Sequence, residues 1–380
     1  MGSLLTTPRK VVRGYPYLKK ELRAIVSDHT DFFVAVPRVV HIWRGAPCNA
    51  KCVMCPWGFL DGPALHPFVR SDFTDEQMPR ALSQIAELCG SGTIVSYMGG
   101  EPMLNRNLVD WVELAGRLKL AFRFTTNGYL MTEDVARRLV AAGAFNVGVS
   151  LESLDPQINE ALRPYPNGTE RTVRCIELLL AERQRQRGHT SVNIKTVLTD
   201  LNLESFIEIA ERYGKLDGVM ITPQQFEAID GMPESTKEKL FVKDIARMRR
   251  TLDRIRELKD EGYNIHVTEQ ALNEIVKHYE DDPGHDATMG EKDLVMEEDS
   301  PDCNIATDNL WILDGEVKLC PHHPSIGTFG SSTETLKELW HSEAAARVRA
   351  QTRACRRLCT ISCLRRTPLS HKISTFLKIA

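Results

Sequence analysis

The chain has 380 residues, 42% of them hydrophobic, which suggests one large α/β domain and a smaller one. Its 48 Lys and Arg residues against 51 Asp and Glu residues give no basic excess for nucleic acid. No apolar run approaches the roughly 18 residues of a membrane span, and residues 1–10 lack the apolar centre of a secretory signal. Ten cysteines without such a signal predict metal binding in a reducing cytoplasm rather than a disulfide framework.

The first two thirds of the chain begin with a helix pattern and then alternate between strands and helices. Residues 1–37 are predicted to form a helical lead-in. The predicted strands that follow are 39–43, 93–98, 122–125, 146–150, 192–198 and 218–222. The predicted helices are 75–88, 108–118, 133–142, 172–187 and 203–213. This alternation predicts βαβ units and a parallel sheet, and therefore an α/β core over residues 38–230.

The composition changes after residue 230. Residues 231–301 are predicted to form a helical bridge, in which charged amphipathic helices are followed by acidic, turn-rich loops. Residues 302–365 carry half of all the cysteines and are predicted to form a small cysteine-rich domain. A basic tail, residues 366–380, is expected to pack across the core.

Three cysteines lie within eight residues in a C-x3-C-x2-C arrangement, at Cys48, Cys52 and Cys55. Three thiolates can hold three irons of an iron–sulfur cube and leave the fourth iron open to a substrate or cosubstrate. Zinc usually takes paired C-x2-C units with a further ligand at a matching distance, and no histidine lies between Cys48 and His66. A zinc knuckle is the alternative that this spacing leaves open.

A second motif, Gly99, Gly100, Glu101 and Pro102, begins 44 residues after the last of these cysteines. It directly follows a predicted strand. Two glycines allow the backbone to approach a ligand closely, and the carboxylate can accept a hydrogen bond from an ammonium group. The same four residues are also a common turn, and it is their position after the cysteines and a strand that favours a function. The carboxyl ends of parallel strands are where α/β barrels place their active sites.

Together the two motifs resemble the signature of the radical S-adenosylmethionine (SAM) superfamily. The resemblance implies a partial (β/α)6 TIM-like barrel that holds a 4Fe–4S cluster with an open iron, which binds the amino and carboxylate groups of SAM. It also implies that the cluster passes an electron to SAM and so produces a 5′-deoxyadenosyl radical, which abstracts hydrogen from a substrate. A flavodoxin- or ferredoxin-like protein would be the external one-electron donor.

The resemblance also implies SAM contacts at the ends of the next strands. Thr126 and Asn127 lie where family members often present polar groups to SAM. Ser150 and Glu152 follow the next strand, and Glu152 would meet the ribose hydroxyls. Arg163 lies where many members place an arginine for the SAM carboxylate, to which a guanidinium bonds bidentately. The alternative for each of them is a capping or surface role.

The C-terminal cysteines resemble the SPASM/twitch extension of radical SAM enzymes, which holds auxiliary 4Fe–4S clusters. These cysteines are Cys303, Cys320, Cys355, Cys359 and Cys363. A full SPASM domain has more cysteines than this, so the resemblance implies one auxiliary cluster bound by four of the five. Which four is left open, because the last three are spaced C-x3-C-x3-C instead of the commoner C-x2-C. A zinc site built from the same thiols is the alternative.

These resemblances imply an enzyme, an oxidoreductase or epimerase, that acts on a sugar, aminocyclitol or other natural-product intermediate. The first alternative is maturation of a ribosomally synthesised peptide by a thioether, C–C or oxidative step. Such enzymes often carry an amino-terminal peptide-binding domain, and about 37 residues before the first strand are too few for one. The second alternative is a non-catalytic zinc-binding scaffold. The sequence leaves open the catalytic residue, the substrate, whether SAM is regenerated, and the oligomeric state.

Overall fold

The computed structural model describes residues 34–281, 305–330 and 334–355. The predicted helical lead-in lies outside these ranges, apart from its last four residues, as does the tail 366–380. Cys303, Cys359 and Cys363 also lie outside them. Within the described ranges, no helix is both long enough and apolar enough to cross a membrane.

The described residues build one sheet of nine strands in the order β6-β5-β4-β3-β2-β1-β7-β8-β9. The strands are β1 Val39–Trp43, β2 Ile94–Met98, β3 Ala121–Thr126, β4 Asn146–Ser150, β5 Ser191–Leu198, β6 Val219–Gln225, β7 Asn309–Leu313, β8 Glu316–Lys318 and β9 Gly327–Thr328. Strands β1 to β6 are parallel and lie in chain order. The two ends of the sheet, β6 and β9, do not pair, so the barrel is open. The predicted α/β class and partial barrel are confirmed.

Helices connect the parallel strands and cover one face of the sheet. Up to β6 they are α1 Pro56–Phe59, α2 Gly62–Val69, α3 Gln77–Cys89, α4 Leu108–Arg117, α5 Glu133–Ala141, α6 Pro156–Leu162, α7 Gly168–Gln186 and α8 Leu203–Tyr213. After β6 come α9 Glu234–Leu240, α10 Ile245–Asp260, α11 Glu269–Asp281, α12 Ile305–Asp308, α13 Leu336–Trp340 and α14 Glu343–Arg353. Side-chain caps fix several helix starts, as where Thr132 accepts from the Val135 N–H at 3.3 Å ahead of α5.

Alternation along the strands separates a helix-facing core from the interior of the barrel. Tyr97 of β2 packs edge-on against Trp111 of α4, with ring centroids 5.6 Å apart, so this face lies beneath the helices. The fully buried Ile42 of β1 is its register partner and shares that face. The neighbouring residue, His41, therefore points into the barrel, beside Ser96 of β2.

The C-terminal segment continues the barrel sheet. Strand β7 pairs in parallel with β1 over its whole length, and a two-residue Asp314–Gly315 turn reverses the chain into β8. Both turn residues have positive φ, +49° and +94°, as the tight hairpin turn favoured by Asp-Gly requires. The buried Trp340 of α13 donates from Nε1 to the Ala35 carbonyl at 3.1 Å. The described C-terminal residues thus share the core of the barrel, and the assignment of 302–365 to an auxiliary-cluster domain stays a prediction.

Candidate functional site

The three cysteines of the first motif lie in the loop between β1 and α1. Cys52 is buried, while Cys48 and Cys55 are half-buried. The loop turns back on itself, because the Cys55 N–H donates to the Cys52 carbonyl at 3.0 Å. Cys55 also precedes α1, whose first residue is Pro56, a residue suited to a helix start.

Burial strongly disfavours the charged form of all three thiols. It raises the pKa of Cys48 to about 11 and that of Cys55 to about 12. It also raises the pKa of Cys52, against the opposing charge of Arg163. These thiols are therefore protonated at neutral pH unless a metal takes the place of the protons, so that cluster binding would release them.

Gly99 and Gly100 pack against the backbone that leads into this cysteine loop. Their φ angles are +108° and +49°. A Cβ on Gly99 would lie 1.9 Å from the Arg44 carbonyl oxygen, and one on Gly100 would lie 2.4 Å from that of Pro47. The Glu101 N–H donates to the Pro47 carbonyl at 3.0 Å. The glycines therefore permit a close approach of two loops of the protein, and this contact positions the cysteine loop.

The Glu101 carboxylate is buried and joins its own loop to the end of β3. Its Oε1 accepts from Thr126 Oγ1 at 2.6 Å and from the Met103 N–H at 3.0 Å, and its Oε2 accepts from the Asn127 N–H at 2.8 Å. Asn127 Nδ2 in turn donates to Asn49 Oδ1 at 2.8 Å, inside the cysteine loop. Burial raises the Glu101 pKa, and these bonds oppose the rise. The structure thus brings the second motif, Thr126 and Asn127 together with the cysteines.

Glu152 and Arg163 form a buried ion pair beside Cys52. Glu152 is fully buried, with Oε1 accepting from Arg163 Nε at 2.7 Å and Oε2 accepting from the Val197 N–H at 2.7 Å. The guanidinium also donates from Nη1 to Cys52 Sγ at 3.2 Å. Both Glu152 oxygens are bonded to protein groups, so the predicted contact with a ribose would have to share them. Arg163 faces Cys52 of the cysteine loop, and its contact with the SAM carboxylate stays a prediction.

Ser150 ends β4 at the same edge of the sheet. Its register partner is Lys195 of β5, whose Nζ donates to Thr125 Oγ1 of β3 at 3.0 Å. This bond crosses β4 at Gly148, where a Cβ would lie 2.6 Å from Thr125 Oγ1. The glycine therefore makes room for a polar contact across three strands inside the barrel.

Two buried donors near the cysteine loop were not identified from the sequence. The Tyr129 hydroxyl and the Asn49 side-chain amide nitrogen have no hydrogen-bond partner among the described residues. Burial raises the Tyr129 pKa, and charges on Cys52 and Arg163 also influence it, so the phenol lies near the site. Since a buried unpaired polar group costs about 1–3 kcal/mol, these donors fit a bound molecule with acceptor oxygens, such as SAM. Their positions in the sequence could have identified them, because Asn49 lies between two of the cysteines and Tyr129 lies in the turn after β3.

A polar cluster also lines the interior where β1 meets β7. The His41 ring stacks on Trp311, with centroids 3.9 Å apart, and its Nε2 hydrogen-bonds Asn309 Oδ1 at 2.9 Å. Burial lowers the His41 pKa to about 4, so the ring is neutral at pH 7. Since Nε2 carries the proton in this bond, Nδ1 is an acceptor. Neither this Nδ1 nor the Trp311 Nε1 has a hydrogen-bond partner among the described residues. The barrel interior at β1 and β7 therefore offers an acceptor and a donor to a ligand.

Of the five C-terminal cysteines, the structure describes Cys320 and Cys355. Cys320 is buried just after β8, and Cys355 is half-buried after α14. Among the described residues, no group of three or more His, Cys, Asp or Glu side chains is placed to hold a metal ion. A 4Fe–4S cluster binds each ligand to a different iron, so its thiols need not converge on one point. The auxiliary-cluster ligands therefore stay a prediction.

Comparison with known proteins identifies the part of the chain that carries this site. Residues 45–213 match the model of the Radical SAM superfamily. These residues are a radical SAM domain. A radical SAM domain implies a 4Fe–4S cluster and SAM as cofactors. The domain contains the cysteine loop, the Gly-Gly-Glu-Pro motif and the Glu152–Arg163 pair.

Curated relatives of the radical SAM domain have diverse names. The AdoMet-dependent heme synthase of Methanosarcina barkeri is 25% identical over 183 residues, 48% of this chain and 49% of that protein. The probable GTP 3′,8-cyclase of Methanopyrus kandleri is 29% identical over 197 residues, 52% of this chain and 58% of that protein. Mycofactocin maturase MftC of Mycobacterium tuberculosis is 32% identical over 123 residues, 32% of this chain and 30% of that protein. The chain thus matches only part of each relative.

Solved structures extend the likeness beyond the radical SAM domain. Streptococcus suis SuiB bound to its precursor peptide SuiA aligns with a TM-score of 0.60 at 17% identity, covering 92% of this chain and 74% of that one. Native anSMEcpe with bound AdoMet aligns with a TM-score of 0.57 at 17% identity, covering 90% of this chain and 96% of that one. At this identity the likeness establishes the fold.

Proposed function

We propose that this protein cleaves SAM reductively and directs the resulting radical to a polar small molecule held inside the barrel. The observation that carries the proposal is the network in which Glu101, Asn127 and Asn49 join the second motif to the cysteine loop. It lies at the carboxyl ends of β2 and β3, within the radical SAM domain.

The residues of the site have distinct roles in this proposal. Cys48, Cys52 and Cys55 would each bind one iron of the cluster and leave the fourth iron open. When bound, the cluster supplies the electron that splits SAM into methionine and a 5′-deoxyadenosyl radical. The unpaired donors of Tyr129 and Asn49 would bind acceptor oxygens of SAM. The backbone of Gly99, Gly100 and Pro102 and the side chain of Ser150 would complete the binding edge.

The interior of the barrel supports a polar substrate. Along β1 to β7, just over half of the side chains that alternate with the helix-facing core are polar or cationic, and none of them is acidic. The polar and cationic positions include His41, Ser96, Arg123, Thr125, Asn146, Asn193, Lys195, Thr222 and Asn309. Hydroxyl- and carbonyl-rich molecules such as sugars or aminocyclitols would match these groups. The proposed reaction is oxidation or epimerisation at an unactivated C–H bond.

An auxiliary 4Fe–4S cluster, bound by four of the C-terminal cysteines, would give an oxidation an acceptor for the electron left on the substrate. Cys303 and Cys320 with two of Cys355, Cys359 and Cys363 are the proposed ligands. In an epimerisation, a hydrogen donor would instead return an atom to the opposite face of the substrate.

Peptide maturation is the second candidate function. It is favoured by the fold shared with SuiB bound to its precursor peptide and with anSMEcpe bound to a peptide. The two candidates differ in what the protein should bind. Anaerobic turnover with candidate metabolites, followed by mass, should give a loss of two hydrogens for oxidation and no mass change for epimerisation. Tight binding of a precursor peptide encoded near this protein's gene would instead support maturation.

Metal analysis of anaerobically purified protein tests the central claim. We expect about eight iron and eight sulfide atoms per chain for one SAM cluster and one auxiliary cluster. Replacing Cys48, Cys52 and Cys55 together by Ala should remove about half of the iron and abolish 5′-deoxyadenosine formation. The matched control is Cys89→Ala, a buried cysteine of α3, which should retain both. Continued 5′-deoxyadenosine formation in the triple variant, or zinc without sulfide in the wild type, would refute the proposal.

A further inference from the structure

The Arg163 guanidinium is fixed between two buried groups on different loops. Its Nε donates to Glu152 Oε1 at 2.7 Å, and its Nη1 donates to Cys52 Sγ at 3.2 Å. Glu152 is itself anchored by the Val197 N–H at 2.7 Å and is fully buried. The side chain therefore has little freedom to leave the sulfur.

The backbone around this contact is tied to the cysteine loop as well. Arg163 caps the carboxyl end of α6, and the preceding residue, Leu162, accepts from the Val53 N–H at 3.0 Å. Val53 directly follows Cys52. The end of α6 and the cysteine loop are thus joined by one backbone bond and one side-chain bond, which keeps the guanidinium beside one particular thiol of the three.

We propose that Arg163 is a positioning residue that raises the reduction potential of the cluster held by Cys48, Cys52 and Cys55. This proposal rests on the proposed function, because it requires a cluster on these thiols. Hydrogen bonds to cluster sulfurs and nearby positive charge stabilise the reduced cluster, which carries one more negative charge. An N–H donor that is also cationic contributes both effects. This role differs from the predicted contact with the SAM carboxylate, because it operates without SAM.

An arginine suits this position better than a lysine because the carboxylate and the sulfur lie in different directions from the side chain. Its planar fork can bond the carboxylate along one edge and reach the sulfur from another nitrogen, whereas a lysine ammonium is a point charge without a fixed direction. Removing Arg163 alone would leave Glu152 buried without its partner, which destabilises proteins strongly. The informative variants are therefore Arg163→Lys and the double variant Glu152→Gln/Arg163→Met, which removes both charges and keeps an acceptor for the Val197 N–H.

The test is a redox titration of the reconstituted full chain without SAM, followed by electron paramagnetic resonance. The N-terminal cluster is identified as the signal that changes when SAM is added to a parallel sample. In the double variant we expect one-electron reduction to become about tenfold less favourable, which is a shift of about 59 mV to more negative potential. Arg163→Lys should shift the potential in the same direction by less. The control is Arg183→Met, which breaks an ion pair with Asp217 near the amino ends of β5 and β6. It should leave the reduction potential unchanged.

Iron content is measured on the same samples to separate tuning from loss of the cluster. An unchanged SAM-free potential in the double variant with full iron would overturn the role of Arg163, even if SAM affinity fell. If the double variant loses iron, the SAM-free potential of Arg163→Lys is used instead. An unchanged potential in that variant with full iron would likewise overturn the role of Arg163. A wild-type protein without any SAM-responsive signal would overturn the proposed function together with this proposal.

Discussion

One buried histidine inside the barrel is expected to make the stability of the protein depend on pH. His41 is buried on the interior face of β1, and this burial keeps its ring neutral although the hydrogen bond to Asn309 favours the charged form. A polar residue in the middle of the apolar run Val39–Trp43 gave no sign of this role in the sequence. Its partners lie 268 residues or more further along the chain, so a local pattern could not identify them.

Lowering the pH should destabilise the protein through His41. Burial lowers its folded pKa from 6.5 to about 4, so between these values the unfolded chain binds more protons than the folded chain. The contribution of the neutral ring to stability is complete above pH 6.5 and is lost as the pH falls towards 4. The full shift corresponds to about 3 kcal/mol at most. Urea unfolding at pH 7 and pH 5 should therefore show a larger loss in the wild type than in His41→Gln.

The control for this measurement is His66→Gln, because His66 is exposed on α2. This variant should keep the pH dependence of the wild type. Equal pH dependence in the wild type and His41→Gln would show that the buried imidazole does not control acid stability.

At the scale of elements, the loops that follow the strands hold one another in place. The second motif was expected to approach a ligand, which stays a prediction, and its glycines also approach the backbone of Arg44 and Pro47 closely. The same loop carries Glu101, whose partners Thr126 and Asn127 belong to the end of β3. We therefore expect binding of a cluster to depend on contacts between these loops as well as on the cysteines.

Replacing Gly99 by Ala should disrupt the cysteine loop. The added Cβ would lie 1.9 Å from the Arg44 carbonyl oxygen, so the two loops would have to separate. We expect the iron bound to the N-terminal cysteines to fall several-fold and SAM cleavage to fall with it. Gly143→Ala is the matched control, because Gly143 also has positive φ, +75°, but a Cβ there meets nothing within 4 Å. Backbone strain of about 1–3 kcal/mol alone should leave the iron content unchanged.

If both variants lose iron equally, strain explains the result and the contact between the loops does not. Iron and sulfide assays on anaerobically reconstituted proteins give this comparison directly.

The sequence predicted the regular elements well and the contacts between them poorly. The bounds of β1, β4 and α8 agree with the prediction, because apolar periodicity is a local property. The short helices α1 and α6 were missed, since helices of four and seven residues carry little periodic signal. The spacing of the three cysteines predicted an iron–sulfur site, and that assignment stays a prediction. Glu152 and Arg163 were expected to face SAM, and their mutual ion pair could not be read from the sequence.

At the scale of the molecule, the C-terminal segment completes the sheet of the radical SAM domain. An apolar strand such as β7 has the same pattern whether it starts a new sheet or extends an existing one, so its partner was not predictable. Its pairing with β1 brings Trp311 onto His41, and the Asp308 carboxylate accepts from Arg38 Nε at 2.9 Å. The segment that carries the C-terminal cysteines therefore also stabilises the fold of the barrel.

A chain ending at residue 304 should consequently fold poorly even though it retains the whole radical SAM domain. Without β7, strand β1 becomes a sheet edge with unpaired N–H and C=O groups, a template for pairing between chains. We expect aggregation on size-exclusion chromatography and a lower thermal unfolding midpoint under anaerobic conditions. Full-length Cys320→Ala separates the two roles of the segment, since it removes a proposed cluster ligand and keeps β7. It should stay monodisperse with a midpoint near that of the wild type, and a defect as large as that of the truncated chain would assign the stabilisation to the cluster instead of the strand.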